Sequence, residues 1–530
     1  MNIFKNCMKL AAVVAAVMFI SACGGGDKKN VKVTQASEGN MVPSGAVLAV
    51  KVSPEQLWNK AFGDKYSSAS MMMLQYKEDL NYSLYKMGEL GDKFADILED
   101  PAKSGVSMKK PIVLSIADKS PDLGFGDDAP FDEICLVAML DDRDAFADVV
   151  ETVKDLADER GVSFSKDVVN DTYTYYQLNA MTVYFDIAIA ENSAVVRISV
   201  SDGDVKTSML ELFADDSSEG KEAFCRSASD LALWLDMENL MALIESAADL
   251  DLDEAPAQLA EAMELLKKSS IVADLTFKDG ETLIQLEVFG SEEMKANAMK
   301  YNEESTGRYF EYMPDNSVMV ANIAMKDLDG LIDELKKDND LKSYFKMFEA
   351  EGIDDDFYKG LPGQVTFALC ADGIDQHDVP GFCVALECDE NVWAFVEEKL
   401  TDVAESFGEN TYVIDDQVLV SYANNTLTII NDIAYSSLYT YGSFENDPLA
   451  EDIAKGGFVI DIAALPGSLL DSFASDEVAY YMTGRDLLEY FSSAVITASD
   501  DHMSATITLN MNDGRHNLLE KVLNFVAENY

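Results

Sequence analysis

Apolar and polar positions along this chain follow a pattern that keeps returning. Ala46–Val52 alternates as a strand, and Ser53-Pro54-Glu55-Gln56 then opens a helix. Ser53 is the expected cap, Pro54 suits the first turn, and Gln56 closes a capping box. Helical patterning continues toward Glu99, with a break expected near Gly63. Strands are predicted at Pro111–Ala117 and Glu133–Leu140. Asp142–Asp158 then puts Phe146, Val149, Val150, Val153 and Leu156 on one helical face. The order is β-α-β-β-α.

The same order returns further along. Leu231–Leu235 is a strand, Asp236 caps a helix, and Ile271–Phe277 with Thr282–Val288 forms a hairpin around Asp279-Gly280. A helix is expected from Glu292. Next come a strand at Ser317–Ala324, a helical stretch from Lys326, and strands at Gln364–Cys370 and Phe382–Cys388. A helix carrying Val392, Val396 and Leu400 follows. The last repeat has strands at Gly457–Ala463, Ala494–Ala498 and Ser504–Met511, a helical region opened by Pro466, and a closing helix. That helix holds Leu518, Leu519, Val522, Leu523 and Val526 on one side.

A longer correspondence overlies these repeats. Residues 313–331 (MPDNSVMVANIAMKDLDGL) echo residues 42–60 (VPSGAVLAVKVSPEQLWNK). Residues 115–140 match 368–388: each loop opens on Ala-Asp and closes on Pro, and Cys135 falls on Cys383. Residues 182–199 and 417–431 add further strands at matching places. The predicted class is therefore α+β, in two similar halves. Each half holds two β-α-β-β-α (ferredoxin-like) units with antiparallel sheets and helices on one face, and units one and three carry the extra strands. The halves are 41–305 and 306–530.

The N-terminus changes the picture from fold to address. Lys5 and Lys9 precede an apolar run, Ala11–Ile20, which is short for a permanent span. Ile20-Ser21-Ala22-Cys23 resembles the lipobox of bacterial lipoproteins, in which cleavage precedes the cysteine and its thiol is acylated. Residues 1–22 then form a lipoprotein signal peptide, Cys23 is the lipidation site, and residues 23–40 form a flexible tether. Gly24 after the cysteine resembles lipoproteins sorted to an outer membrane, on a face that the sequence leaves open.

Bulk properties narrow the partners. At 530 residues, 48% hydrophobic and 10% aromatic, the chain is a folded protein of more than one core. Its formal net charge of -56 opposes nucleic acid and anionic lipid surfaces, so contact with a membrane is expected through the acyl anchor. Without Cys7 and Cys23, five cysteines remain, an odd number that excludes a complete disulfide framework. Cys370 and Cys383 flank one predicted loop and are candidates for pairing; small apolar core residues are the plainer reading.

Several stretches together carry a family resemblance. They are Pro43-Ser44-Gly45-Ala46-Val47-Leu48, Asp100-Pro101-Ala102-Lys103-Ser104-Gly105-Val106, Ser229-Asp230-Leu231, Phe277-Lys278-Asp279-Gly280 and Met313-Pro314-Asp315. With the lipobox and leash, they resemble domain-of-unknown-function family 4836, lipoproteins of the Bacteroidetes group, over nearly the whole mature chain. These motifs are turns and caps. The resemblance implies no activity, cofactor or catalytic residue.

Candidate chemistry is sparse. His377, His502 and His516 stand far apart, and neither HExxH nor CxxC occurs, so a zinc site is not expected. GxSxG, GxxxxGK[ST] and GxGxxG are absent, which argues against an acyl-transfer elbow and against nucleotide binding. Oxygen ligands cluster in Asp122, Asp127, Asp128 and Asp132, and again in Asp354, Asp355 and Asp356; these are the weak calcium candidates, with no other cofactor expected. The favoured reading is a lipid-anchored cell-envelope protein acting as a non-catalytic interaction or assembly module, with an envelope protein or glycan as partner. The alternative is a carboxylate-dependent hydrolase of envelope or imported polymer. It asks for a cleft with two acids, one raised in pKa by an apolar setting.

Overall fold

The computed structural model of the chain describes residues 39–117, 133–159, 161–162, 164–169, 173–180, 183–199, 209, 213, 218–248, 265–326, 328–336, 342–350, 352–353, 355–361, 363–370, 380–472, 477–479, 482–499 and 503–529. Helices pack on antiparallel sheet, as α+β requires, in two compact lobes. Lobe 1 runs through Phe277 and takes in Leu286–Gly290 and Leu519–Tyr530; lobe 2 comprises Lys278–Gln285 and Ser291–Leu518.

Lobe 1 is built on β1 (Ala46–Val52), β2 (Ile112–Ala117), β3 (Glu133–Met139), β4 (Phe164–Val169), β5 (Tyr173–Ala180), β6 (Val183–Ile189), β7 (Ser193–Ser199), β8 (Leu231–Asp236) and β9 (Ser270–Lys278). Side by side they run β4-β5-β6-β7-β3-β2-β1-β8-β9, each pair antiparallel. Alternation sends Val113, Cys135 and Val137 to one face, and Ile112, Leu136 and Ala138 to the other. Both faces are covered. Phe224 and Cys225 of the helix Glu219–Arg226 cap the first, while the helices Glu89–Glu99 and Arg143–Glu159 bring Phe94, Ile97, Phe146, Val149 and Val153 to the second. Helices on one face alone were expected. The near-continuous apolar runs of β3 and β7 belong instead to strands buried on both sides.

After β10 (Glu281–Phe289) and the two-residue β11 (Asn302–Glu303), lobe 2 continues with β12 (Ser317–Met325), β13 (Gln364–Cys370), β14 (Phe382–Glu387), β15 (Glu405–Gly408), β16 (Thr411–Ile414), β17 (Val418–Ala423), β18 (Thr426–Asn431) and β19 (Gly457–Asp461). The short pair β20 (Glu477–Ala479) and β21 (Met482–Thr483) precedes β22 (Phe491–Ala498) and β23 (Ser504–Met511). The lobe 2 order is β15-β16-β17-β18-β14-β13-β12-β19-β22-β23, again antiparallel throughout. Asp279-Gly280 joins β9 to β10 as a two-residue turn, with Gly280 at φ 80°, where a side chain is strained.

Three expectations are corrected. A ferredoxin-like unit is a split β-α-β: its first two strands run parallel with another strand between them, yet β1 lies directly beside β2 and antiparallel to it, and β12 likewise beside β13. A single helical crossover delivers the next strand parallel. Here β1 and β2 are joined through helices Pro54–Phe62, Ser68–Leu84 and Glu89–Glu99, so the chain re-enters the sheet at the end it left. Second, each lobe has a hairpin beyond the predicted strands, β4–β5 and β15–β16. Third, Ser53 does not close a capping box: its Oγ donates to the Ser229 carbonyl (2.8 Å), tying the end of β1 to the start of β8.

Candidate functional site

One row of side chains crosses the lobe 1 sheet on the face under Phe224: Ala49, Ser115, Cys135, Arg197, Asp186 and Gln177. It starts apolar and ends charged. Arg197 Nε lies 2.8 Å from Glu133 Oε2, and both side chains are almost wholly buried. Asp186 is fully buried; Tyr175 donates its hydroxyl to Asp186 Oδ1, and Gln177 Nε2 donates to the same oxygen at 3.0 Å. Asp186 Oδ2 has no hydrogen-bond partner among the described residues. Burial raises the Asp186 pKa, against the lowering pull of Tyr175, Gln177 and Arg197. The Tyr175 hydroxyl is raised too, by burial first and then by its bond to Asp186.

The corresponding row of lobe 2 reads Val320, Ala368, Cys383, Ile430, Leu419 and Val413. Strands holding the same places in the order thus carry aliphatic residues where lobe 1 carries Arg197, Asp186 and Gln177. A buried ion pair is weak evidence for stability, since apolar replacements of like size serve as well or better. The charged cluster is therefore not something this strand arrangement demands.

A second sealed cation sits in β1. Lys51, 1% exposed, donates its ammonium to the carbonyls of Phe224, Ser227 (2.6 Å) and Cys225 (3.4 Å) at the end of the helix Glu219–Arg226. A helix C-terminus carries partial negative charge and carbonyls left without intrahelical partners, so it suits a cation. Burial nevertheless lowers the Lys51 pKa to about 8, with Asp274 and Cys225 acting the other way. In β12 the buried Asn322 does the same work without charge: its Nδ2 donates to Ile453 and Ala454 carbonyls at 2.9 and 3.1 Å, while Ser305 and Thr366 hydroxyls donate to its Oδ1.

Each lobe also has an open hollow. In lobe 1 it measures about 320 Å³ and is walled by apolar side chains, among them Val52, Leu57, Trp58, Ile112, Leu231 and Leu519. In lobe 2 it measures about 530 Å³ and mixes Ile323, Phe458 and Ile496 with Glu303, Asp452 and Lys455. Partial burial raises the Asp452 pKa, helped by neighbouring Glu451. The family described as Domain of unknown function (DUF4836) matches residues 38–433, from just before the first described residue to just past β18. The chain belongs to that family. No curated protein and no solved structure matches it.

Of the site residues expected from sequence, this DUF4836 chain's Cys23 and Asp122, Asp127, Asp128, Asp132 and Asp354 lie outside the described residues. Asp355 opens the short helix Asp355–Lys359, which also holds Asp356, and is ion-paired with Lys336, which holds its carboxyl below the usual carboxylate range. Among the described residues no group of three or more His, Cys, Asp or Glu side chains is placed to hold a metal ion. Cys135, Cys225, Cys370, Cys383 and Cys388 are buried thiols, and burial pushes the Cys383 thiol up strongly. His516 pairs with Asp513, three residues before it, at 2.6 Å.

Sequence reasoning passed over the lobe 1 cluster, whose members are spread from residue 133 to 197. A signal was there. Asp186 and Arg197 each interrupt an otherwise apolar strand, in VYFDIAI and SAVVRIS, as Lys51 does in AVLAVKV.

Proposed function

We propose that this chain is a lipid-anchored, non-enzymatic interaction module of a bacterial cell envelope. The Cys23 lipobox and the leash behind it support the anchor and an outer-membrane address. The matching strand orders of the two lobes support a duplicated scaffold, with the second copy beginning near Pro314.

The observation that carries the interaction role is a stripe of exposed apolar side chains in lobe 1. Met71, Leu74, Tyr82 and Tyr85 fall at i, i+3, i+11 and i+14 along the helix Ser68–Leu84 and the turn after it, and all are well exposed. That helix buries only Ala69, Ser70 and Leu84, so it contributes little to its own core. The helix Lys342–Ala350 of lobe 2 exposes Tyr344 and Met347 in the same manner. Contiguous exposed apolar side chains of this kind favour a protein partner.

Photo-crosslinking in living cells tests this reading. A photoreactive residue at Leu74 should give discrete cross-linked species that are missing with the same residue at solvent-facing Asp144. Identical smears from both positions would overturn the interaction role. Release of Cys23→Ala from the membrane fraction tests the anchor separately. The hydrolase reading draws on one observation, Asp452 raised in an open hollow, and needs a second carboxylate at glycosidase spacing. Turnover of envelope polysaccharide by the purified chain, lost in Asp452→Asn, would displace the binding reading.

A further inference from the structure

We propose that the hollow of lobe 1 is a binding site for a single saturated alkyl chain of about ten carbons, borne by an uncharged or cationic amphiphile. It does not depend on the exposed stripe or on the anchor.

Four observations lead there. The walls are aliphatic and aromatic side chains, so hydrogen-bonding groups entering between Val52, Leu57, Ile112, Leu231 and Leu519 would lose water and gain nothing. Sugars, nucleotides and peptide backbone are excluded on that ground. The volume of about 320 Å³ holds roughly ten groups of water or methylene size, at ~30 Å³ each. The wall is also fastened: Ala69 N donates to Asn524 Oδ1 and Ser68 Oγ to Glu528 Oε1, both at 2.9 Å, holding the C-terminal helix that carries Leu519. Its apolar lining is therefore a built feature of the lobe.

The fourth observation concerns the head group. Lys60, on the helix that supplies Leu57 and Trp58, pairs with Asp230 at 2.5 Å, and Asp230 directly precedes Leu231. Asp230 is fully buried, accepts a bond from Phe277 N at 2.7 Å, and keeps Oδ1 without a partner among the described residues. That carboxylate is sealed from the hollow and neutralises Lys60 from inside the lobe, so the head group is set by the charge around the hollow. With a chain charge of -56 around it, an anionic head is disfavoured and a hydroxyl or ammonium head is favoured.

The test is titration of the full chain with 1-alkanols of six to twelve carbons, read by the fluorescence of Trp58. That residue stands half exposed at the rim, its ring 4.7 Å from Phe62, while Trp234 and Trp393 are buried. Saturable binding should tighten about fourfold per methylene and level off near ten carbons. Decylamine should bind at least as tightly as decanol, and decanoate several-fold more weakly. Leu57→Trp fills the hollow and should abolish the signal. Ala61→Leu is a milder filling that should weaken decanol at least tenfold if the first variant fails to fold. Non-saturable uptake, no dependence on chain length, or unchanged binding in a folded filled variant would each overturn the site. Decanoate binding as well as decanol would overturn the head-group assignment.

Discussion

Lys51 offers the cleanest test of the buried polar architecture, because its effect has a sign and a pH window. Its side chain is surrounded by the core that includes Phe224 and Cys225, and its pKa falls from 10.5 to about 8. That difference corresponds to about 3 kcal/mol favouring the neutral amine in the folded state. A lysine lowered on folding makes the unfolded chain the better proton binder between about pH 8 and 10.5. Stability therefore rises with pH across that window, and the cost of the buried charge is fully present below it. Lys51→Met keeps the length and removes the charge. It also leaves the Phe224, Cys225 and Ser227 carbonyls without their donor, so the net change at neutral pH is a small difference of opposed effects. The pH dependence escapes that ambiguity. Urea unfolding, followed through buried Trp234 of the same core, should show wild type gaining about 2 kcal/mol on Lys51→Met between pH 7.5 and 9.5. Other titrating groups are common to both proteins and cancel. A difference that stays flat over those two pH units would mean that the carbonyls solvate the ammonium fully, and that burial does not govern this residue.

The lobe 1 cluster and a single glycine extend the test. Arg197→Ile alone strands Glu133 and Asp186 in the core and should cost about 3–5 kcal/mol in urea unfolding. Adding Asp186→Leu and Glu133→Gln imports the aliphatic pattern of Ile430 and Leu419 and should recover stability to within about 1 kcal/mol of wild type, or beyond it. Failure of the triple variant to recover would show that the strand arrangement needs the charges. Gly105 has φ 78°, and a Cβ there would lie 2.0 Å from the Asp142 carbonyl oxygen, whose own backbone N–H donates to Gly105 O. Gly105→Ala should therefore cost on the order of 3 kcal/mol or more, seen as a lower melting temperature.

What could be read from the sequence was whatever the chain states locally. The DG turn at Asp279-Gly280, the cap from Asp236 to Asn239 N (2.9 Å) and the apolar face from Phe146 to Val153 are all where spacing put them. Strands β4 and β15 were missed for one physical reason. FSKDVV exposes its four middle residues and ESFG exposes all four, so pairing holds them in the sheet while no buried face marks them. Strand order was illegible on other grounds. Whether β2 returns beside β1 or one place further depends on how a three-helix excursion packs, and no window of residues encodes that. The cluster shares this limit, since Arg197 meets Glu133 and Asp186 only through the registers of β3, β6 and β7.

The comparison of the lobes also separates what builds the scaffold from what has been added to it. At the start of β8, lobe 1 has Asp230, sealed and paired with Lys60; just before β19, lobe 2 has Lys455, exposed and paired with Glu304 at 2.9 Å. The charge is inverted at one place in the strand order, yet Ala232 pairs with Lys51 as Gly457 pairs with Asn322. A position whose sign can invert while the register stays is not set by backbone pairing. What varies with it is the neighbouring hollow, aliphatic beside Asp230 and studded with Glu303, Asp452 and Lys455 in lobe 2. The hollow and the charged row are thus two places where the lobes carry different side chains under the same strand order. An alkyl chain suits the first hollow and a polar ligand the second, so decanol should discriminate between Leu57→Trp and a filling variant of lobe 2 such as Ala321→Trp: the first loses binding, the second keeps it.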